Sequence, residues 1–213
     1  MTAGRARIAV LLSGRGSNFL ALAAAVEHGE LPAEIVLVAS DRSEAPGLAR
    51  AREMGRPALA VPARGEPSRE SHEQKLLAAL GEARAEWICL AGYLRLLSPG
   101  FVRRYPERIV NIHPSLLPAF PGLHAQRQAL EHGVKVSGCT VHLVDEGLDS
   151  GPIVVQRTVP VDDGDTPDSL AARILDEEHR AYPEAMRRLL RESWQVVGRL
   201  LTFGGGGSVT KGR

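Results

Sequence analysis

The sequence predicts an α/β fold: an open, mainly parallel, Rossmann-like sheet flanked by helices, with late antiparallel strands. Short apolar runs alternate with helical segments through the first half of the chain. Those runs are continuously apolar rather than alternating, so both faces of each strand are expected to lie under helices. The third observation is a pair of neighbouring apolar runs late in the chain, joined by the turn-rich link Asp145 to Pro152.

Ile8 to Leu12 reads as the first strand, followed by the tight loop Ser13-Gly14-Arg15-Gly16-Ser17-Asn18 and a helix from Phe19 to about Glu27. Ile35 to Ala39 is a second buried strand, Pro46 to Met54 a short helix stopped by Gly55, and Ala58 to Val61 a third strand. Beyond the loop Pro62 to Pro67, a helix from about Ser68 to Ala83 leads into the strand Trp87 to Ala91. Ser98-Pro99 opens a helical turn by the cap and first-position preferences. Ile109 to Ile112 is the fifth strand, and the three prolines of Pro114 to Gly122 make a stiff, irregular loop.

Ala125 to His132 is a short helix, and Val136 to Val144 with Ile153 to Val161 form the late strand pair. Asp165 or Thr166 caps a helix toward Arg180 that Pro183 is expected to interrupt, resuming from Glu184 to Arg191. Val196 to Leu201 suits a final strand or hairpin, and Gly204 to Arg213 a flexible tail. The organisation expected is one domain over residues 1–203 followed by that tail.

A chain of 213 residues supports one substantial core. Its 44% hydrophobic and 24% charged residues are ordinary for a globular protein. A net charge of +1 lacks the broad basic field on which nucleic-acid affinity rests. Cys89 and Cys139 both fall in apolar runs, which predicts buried thiols, no disulfide framework and a reducing compartment. The apolar stretch after the basic start is too short for a signal peptide, and no window approaches a membrane span, so the expectation is a cytoplasmic protein.

Chemistry concentrates in three places. Asn111 and His113 stand two apart at a strand end, so they share a face and present an amide and an imidazole to one point. Such a pair can hold a developing oxyanion and handle a proton, although strand-end Asn and His also cap turns. The glycine loop points backbone N–H groups and a helix N-terminus at an anion. It fails the dinucleotide fingerprint, because Phe19 replaces the third glycine, and it has no Walker lysine. Either it cradles one phosphate, or Ser17 or Asn18 merely caps the helix. The third place is Asp149, a turn carboxylate on local grounds. It gains meaning if its loop folds over the tip of the fifth strand, where it would raise the His113 pKa and relay a proton.

Among the other histidines, His28, His72, His132 and His179 fall on charged helical stretches and read as solvated. His142 reads as a satisfied core or rim residue, and His124 as a lining residue of the stiff loop. A metal centre from His113, His124, His142 and Asp149 suits the residue types but lacks a paired local spacing such as HxxxH.

Taken together, Ser13-Gly14-Arg15-Gly16-Ser17-Asn18, Leu90 to Pro99, Asn111-Ile112-His113-Pro114-Ser115-Leu116-Leu117-Pro118 through Gly122, and Asp149-Ser150-Gly151-Pro152 resemble the phosphoribosylglycinamide formyltransferases. The likeness covers about residues 7–195. It implies transfer of a formyl group from 10-formyltetrahydrofolate to the amine of 5-phosphoribosylglycinamide, without a metal, in a monomer or homodimer. By position it makes Asn111, His113 and Asp149 catalytic. Gly16, Ser17 and Asn18 become phosphate contacts and Glu178 a ribose or glycinamide contact. The folate contacts it implies are Arg69, Leu94, Arg95, Leu96 and Leu97, Asn111, and the loop Asp145, Glu146, Gly147, Leu148 and Asp149. Arg15 departs from the small polar residue often found there, and the chain beyond Val196 is less recognisable.

The mechanism expected has protonated His113 and the Asn111 amide stabilising the oxyanion while Asp149 keeps His113 charged. A 10-formyltetrahydrofolate hydrolase of the same family is the nearest alternative. It should carry an extra N-terminal module, for which a first strand starting near Arg7 leaves no room, and would have no use for a phosphate loop. A methionyl-tRNA formyltransferase would need a basic extension. A non-catalytic nucleotide-binding module or a nicotinamide oxidoreductase is disfavoured by the broken glycine fingerprint.

Overall fold

The computed structural model describes residues 4–204, so the expected tail lies outside the described residues beyond Gly204. The elements run β1 (Ala6–Leu12), α1 (Ser17–Glu27), β2 (Ala33–Ser40), α2 (Pro46–Glu53), β3 (Ala58–Ala60), α3 (Arg69–Glu82), β4 (Trp87–Leu90) and α4 (Pro99–Val102). They continue with β5 (Ile109–His113), α5 (Ala125–Glu131), β6 (Val136–Leu143), β7 (Ile153–Pro160), α6 (Pro167–Arg191), β8 (Trp194–Val197) and β9 (Leu200–Phe203).

Seven strands form one sheet in the order β3-β2-β1-β4-β5-β6-β7. Strands β1 to β5 are parallel, and β6 and β7 are antiparallel to their neighbours. The chain walks outward from β1 to β3 and then returns to place β4 on the other side of β1. Adjacent crossovers therefore leave in opposite directions between β1 and β4, which opens a crevice at the carboxyl ends of the strands.

Strand alternation divides the core. Ile8, Val10 and Leu12 pack on one face with α1, α2 and α6, while Ala9 and Leu11 pack on the other with α3 and α4. All five side chains are fully buried, and each large one contributes roughly 1.5–3 kcal/mol of transfer free energy. Cys89 and Cys139 are buried and unpaired, as the sequence predicts.

Pro183 does not interrupt the last long helix: α6 runs unbroken for 25 residues from Pro167 to Arg191. Its buried stripe, Leu170, Ile174, Glu178, Ala181, Tyr182, Ala185, Met186 and Leu189, passes straight through the proline. Packing along that stripe outweighs the roughly 3 kcal/mol that an interior proline costs. Tyr182 lies against the sheet with its hydroxyl donating toward the carbonyls of Leu90 and Val110, at 3.2 and 2.8 Å. The N-terminus is closed by Thr166, whose capping box with Ser169 selects it over Asp165. Residues 194–203 form the hairpin β8–β9. His72 is a correction: it is buried, not solvated, with Nε2 2.9 Å from the Val61 carbonyl.

Candidate active site

The three polar places found in the sequence all lie at the carboxyl edge of the parallel strands. Strand β5 carries Asn111 and His113 on one face at its tip, and Asn111 pairs across the antiparallel strand with His142 of β6. The loop after β6 folds back over that tip. It does so at Gly151, where a Cβ would stand 1.9 Å from the Leu143 carbonyl oxygen, a contact only glycine permits.

Asp149 is thereby placed among four groups. Its Oδ2 accepts the Gly122 N–H at 2.8 Å and lies 3.4 Å from His113 Nδ1. Its Oδ1 is 3.5 Å from Asn111 Nδ2 and 3.7 Å from His142 Nε2. Burial pushes the Asp149 carboxyl up, but the His142 and His113 rings, in so far as they take up a proton on the side facing it, and the Gly122 N–H outweigh it and hold it below the ordinary carboxylate range.

His113 behaves otherwise than the sequence suggested. Burial lowers its pKa, and the Phe120 carbonyl and Asp149 pull it up without offsetting that loss, so the ring sits below its ordinary value and is neutral at neutral pH. Its Nε2 is 2.8 Å from the Phe120 carbonyl, which can only accept, so the single ring proton belongs on Nε2. The Nδ1 lone pair then faces Asp149, and the two atoms have room to share one added proton.

His142 is the residue that sequence reasoning missed. Its Nδ1 lies 2.9 Å from the Leu143 carbonyl, which places the proton there and leaves Nε2 to accept from Asn111 Nδ2 at 3.1 Å. The ring thus orients the Asn111 amide and fixes which end of it faces the carboxylate. Only the β5–β6 register could have revealed this. His124 is the exposed N-cap of α5, and among the described residues no three His, Cys, Asp or Glu side chains are grouped to hold a metal ion.

Across the switch point, α1 begins at Ser17 rather than Phe19, and its N-cap is Gly16 with no side-chain hydrogen bond. Neither Ser17 nor Asn18 is a cap, so the first N–H groups of the helix remain available to an anion. Gly16 is required here: its φ is +75°, and a Cβ would approach Gly47 Cα of α2 to 2.9 Å. Asn18 turns inward, with Nδ2 donating to Glu178 Oε2 at 2.7 Å and Oδ1 buried without a partner. Burial raises the Glu178 pKa, partly countered by the Asn18 amide. Arg15 is exposed.

The residues implied for the folate lie on α3, on the segment after β4, at the tip of β5 and on the loop after β6. Leu94 and Leu96 are 58% and 56% exposed after β4, Arg95 is half-buried and Leu97 is buried. Leu148 is 56% exposed and lies beside Gly122. Asp145 holds its own loop through the Gly147 N–H at 3.0 Å and the Ser150 hydroxyl at 2.7 Å, while Glu146 pairs at the surface with Arg103 at 2.7 Å. Arg69 opens α3 with an exposed guanidinium 3.9 Å from Glu70. A groove of about 790 Å³ runs between α1 and α6, lined by Ser17, His179 and Pro183, and Asp149 is not among its lining residues. No helix among the described residues is long and apolar enough to cross a membrane.

The sequence profile described as formyl transferase matches residues 6–186. The phosphoribosylglycinamide formyltransferase of Escherichia coli (strain K12) is 41% identical over 193 residues, 91% of this chain and 88% of that protein. The trifunctional purine biosynthetic protein adenosine-3 of Drosophila pseudoobscura pseudoobscura is 50% identical over 187 residues, 87% of this chain, but the chain spans only 14% of that relative's length. The crystal structure of glycinamide ribonucleotide transformylase 1 from Symbiobacterium toebii superposes with a TM-score of 0.92 at 48% identity, covering 95% of both chains. A formyltetrahydrofolate deformylase from Pseudomonas syringae shares the fold at a TM-score of 0.88 but only 27% identity, covering 94% of this chain and 66% of that one. Sheet order, the tip of β5 and these relatives agree: the chain belongs to the phosphoribosylglycinamide formyltransferases of the formyl transferase family.

Proposed function

We propose that the chain transfers the formyl group of 10-formyltetrahydrofolate to the amine of 5-phosphoribosylglycinamide, giving the formylated ribonucleotide and tetrahydrofolate. The observation that carries this reading is Asp149, held within 3.4 Å of His113 and 3.5 Å of Asn111 at the switch point that also presents the uncapped start of α1. The family to which the chain belongs supports it.

The residues fit both substrates. The N–H groups of Ser17 and Asn18 and the close turn at Gly16 suit a phosphate, and the buried, unpartnered Asn18 Oδ1 beside Glu178 suits the donors of a sugar or glycinamide. The exposed Leu94, Leu96 and Leu148 offer apolar contact for a flat ring system, with Arg69 a cation for its carboxylates.

As the substrate amine adds to the formyl carbon, negative charge grows on the formyl oxygen. The Asn111 amide, aimed by His142, donates to that oxygen. The amine must lose a proton, and the space between Asp149 Oδ2 and His113 Nδ1 accepts it, creating an imidazolium that the carboxylate stabilises. Collapse breaks the bond to the folate nitrogen, and the shared proton passes to that leaving nitrogen. His113 is therefore neutral at rest and charged only as the reaction proceeds, in place of the protonated ring, kept charged by Asp149, that the sequence suggested.

The purified protein should change the 10-formyltetrahydrofolate chromophore only when phosphoribosylglycinamide is present. Formate release without the amine would instead establish the hydrolase. Binding of the phosphorylated compound with no turnover would leave a non-catalytic nucleotide-binding module.

A further inference from the structure

The segment from Leu94 to Leu97 carries two leucines in solvent yet is fastened at both ends by buried polar groups. At its start, Ser13 donates its backbone N–H to the Gly92 carbonyl at 3.0 Å, and its Oγ accepts the Leu94 N–H at 3.0 Å. At its end, the Ser98 N–H donates to Glu73 Oε1 at 2.7 Å, and the Ser98 hydroxyl donates to Glu73 Oε2. Ser98 Oγ in turn accepts the Phe101 N–H at 3.1 Å and so caps α4. Ser13 is 2% exposed and Glu73 5%.

A carboxylate is expensive to bury unless its lone pairs are satisfied. No cation pairs with Glu73 among the described residues; what satisfies it are the two donors of Ser98. Glu73 also sits one helical turn after Arg69 on α3, so the residue that fixes the end of the leucine segment lies on the helix that presents the arginine. Glu73 makes no hydrogen bond to Asn111, His113 or Asp149.

We propose that Glu73 is a positioning residue for folate binding, holding the Leu94–Leu97 segment and the first turn of α3 in one arrangement. This rests on the reading that both pieces contact the folate. The carboxylate acts through Ser98 and touches neither substrate. Replacing it frees the end of the segment, so binding must then order Leu94 and Leu96 at its own expense.

The test compares wild type with Glu73→Gln, which keeps one acceptor, and Glu73→Ala, which keeps none. KM for 10-formyltetrahydrofolate should rise about tenfold in Glu73→Gln and further in Glu73→Ala, in line with the loss of a hydrogen bond to a charged group. The dissociation constant of tetrahydrofolate, read by calorimetry, should rise in parallel. KM for phosphoribosylglycinamide and kcat at saturating folate should stay within about twofold. Folate affinity unchanged in Glu73→Gln, or both KM values and kcat shifting together with the melting temperature, would overturn the proposal. A wild type that transfers no formyl group would overturn the reading beneath it and is distinguished by being measured first.

Discussion

Asp149→Asn tests the proposed proton-handling pair with little change of shape. The amide oxygen can still accept the Gly122 N–H that Asp149 now accepts at 2.8 Å, so the loop keeps its anchor. What disappears is a negative charge 3.4 Å from His113 Nδ1. At an effective dielectric of about 20, that charge attracts a transient imidazolium by roughly 5 kcal/mol, which sets a ceiling near 10⁴-fold in rate. Loss of a positioned acid or base usually costs about 10²- to 10⁴-fold, so the two arguments meet. The expected outcome is a kcat lower by about 10³- to 10⁴-fold, with both KM values within about threefold. Single-turnover formyl transfer, followed by the folate chromophore, isolates the chemical step. A variant retaining a third or more of wild-type turnover would refute the shared-proton mechanism outright.

The remaining expectations concern separate parts of the crevice. Asn111→Ala removes the proposed oxyanion donor and should cost about 10²- to 10³-fold in kcat, measured at saturation with both substrates. Ser17→Asp places a like charge at the start of α1, where an acidic residue favours the helix but repels phosphate. KM for phosphoribosylglycinamide should rise at least tenfold with no loss of melting temperature, and an unchanged KM would displace the phosphate from this loop. In wild type, Asp149 and His113 both titrate below their ordinary values, so the stability they contribute is complete above about pH 6.5 and is lost as pH falls through their folded values. Activity should follow the same acid limb. Glu178 has the opposite sign: its raised pKa favours the fold at low pH, and that contribution fades as pH rises from the ordinary carboxylate value through the raised one. Melting curves of Glu178→Gln should lack that decline.

Local periodicity was enough to read the strand–helix alternation and the shared face of Asn111 and His113, because both depend on residues a few positions apart. Pro183 misled because its local cost is real, but the buried stripe of α6 extends beyond any short window. His142 and Glu73 were illegible for a different reason. One acquires its role from a cross-strand register and the other from a bond to Ser98, 25 positions away, and neither leaves a periodic trace. The protonation of His113 was misjudged because a neighbouring carboxylate is visible in the sequence, whereas the desolvation that outweighs it appears only once the core closes.

The parting of the chain between β1 and β4 has a mechanical corollary. Helix α1, proposed to face the phosphate, hangs from one wing of the sheet and the Asn–His tip from the other. A ligand reaching from one to the other becomes a cross-brace. Filling the crevice should therefore stiffen the frame as a whole, raising resistance to heat by mass action and most strongly when a single molecule bridges both wings.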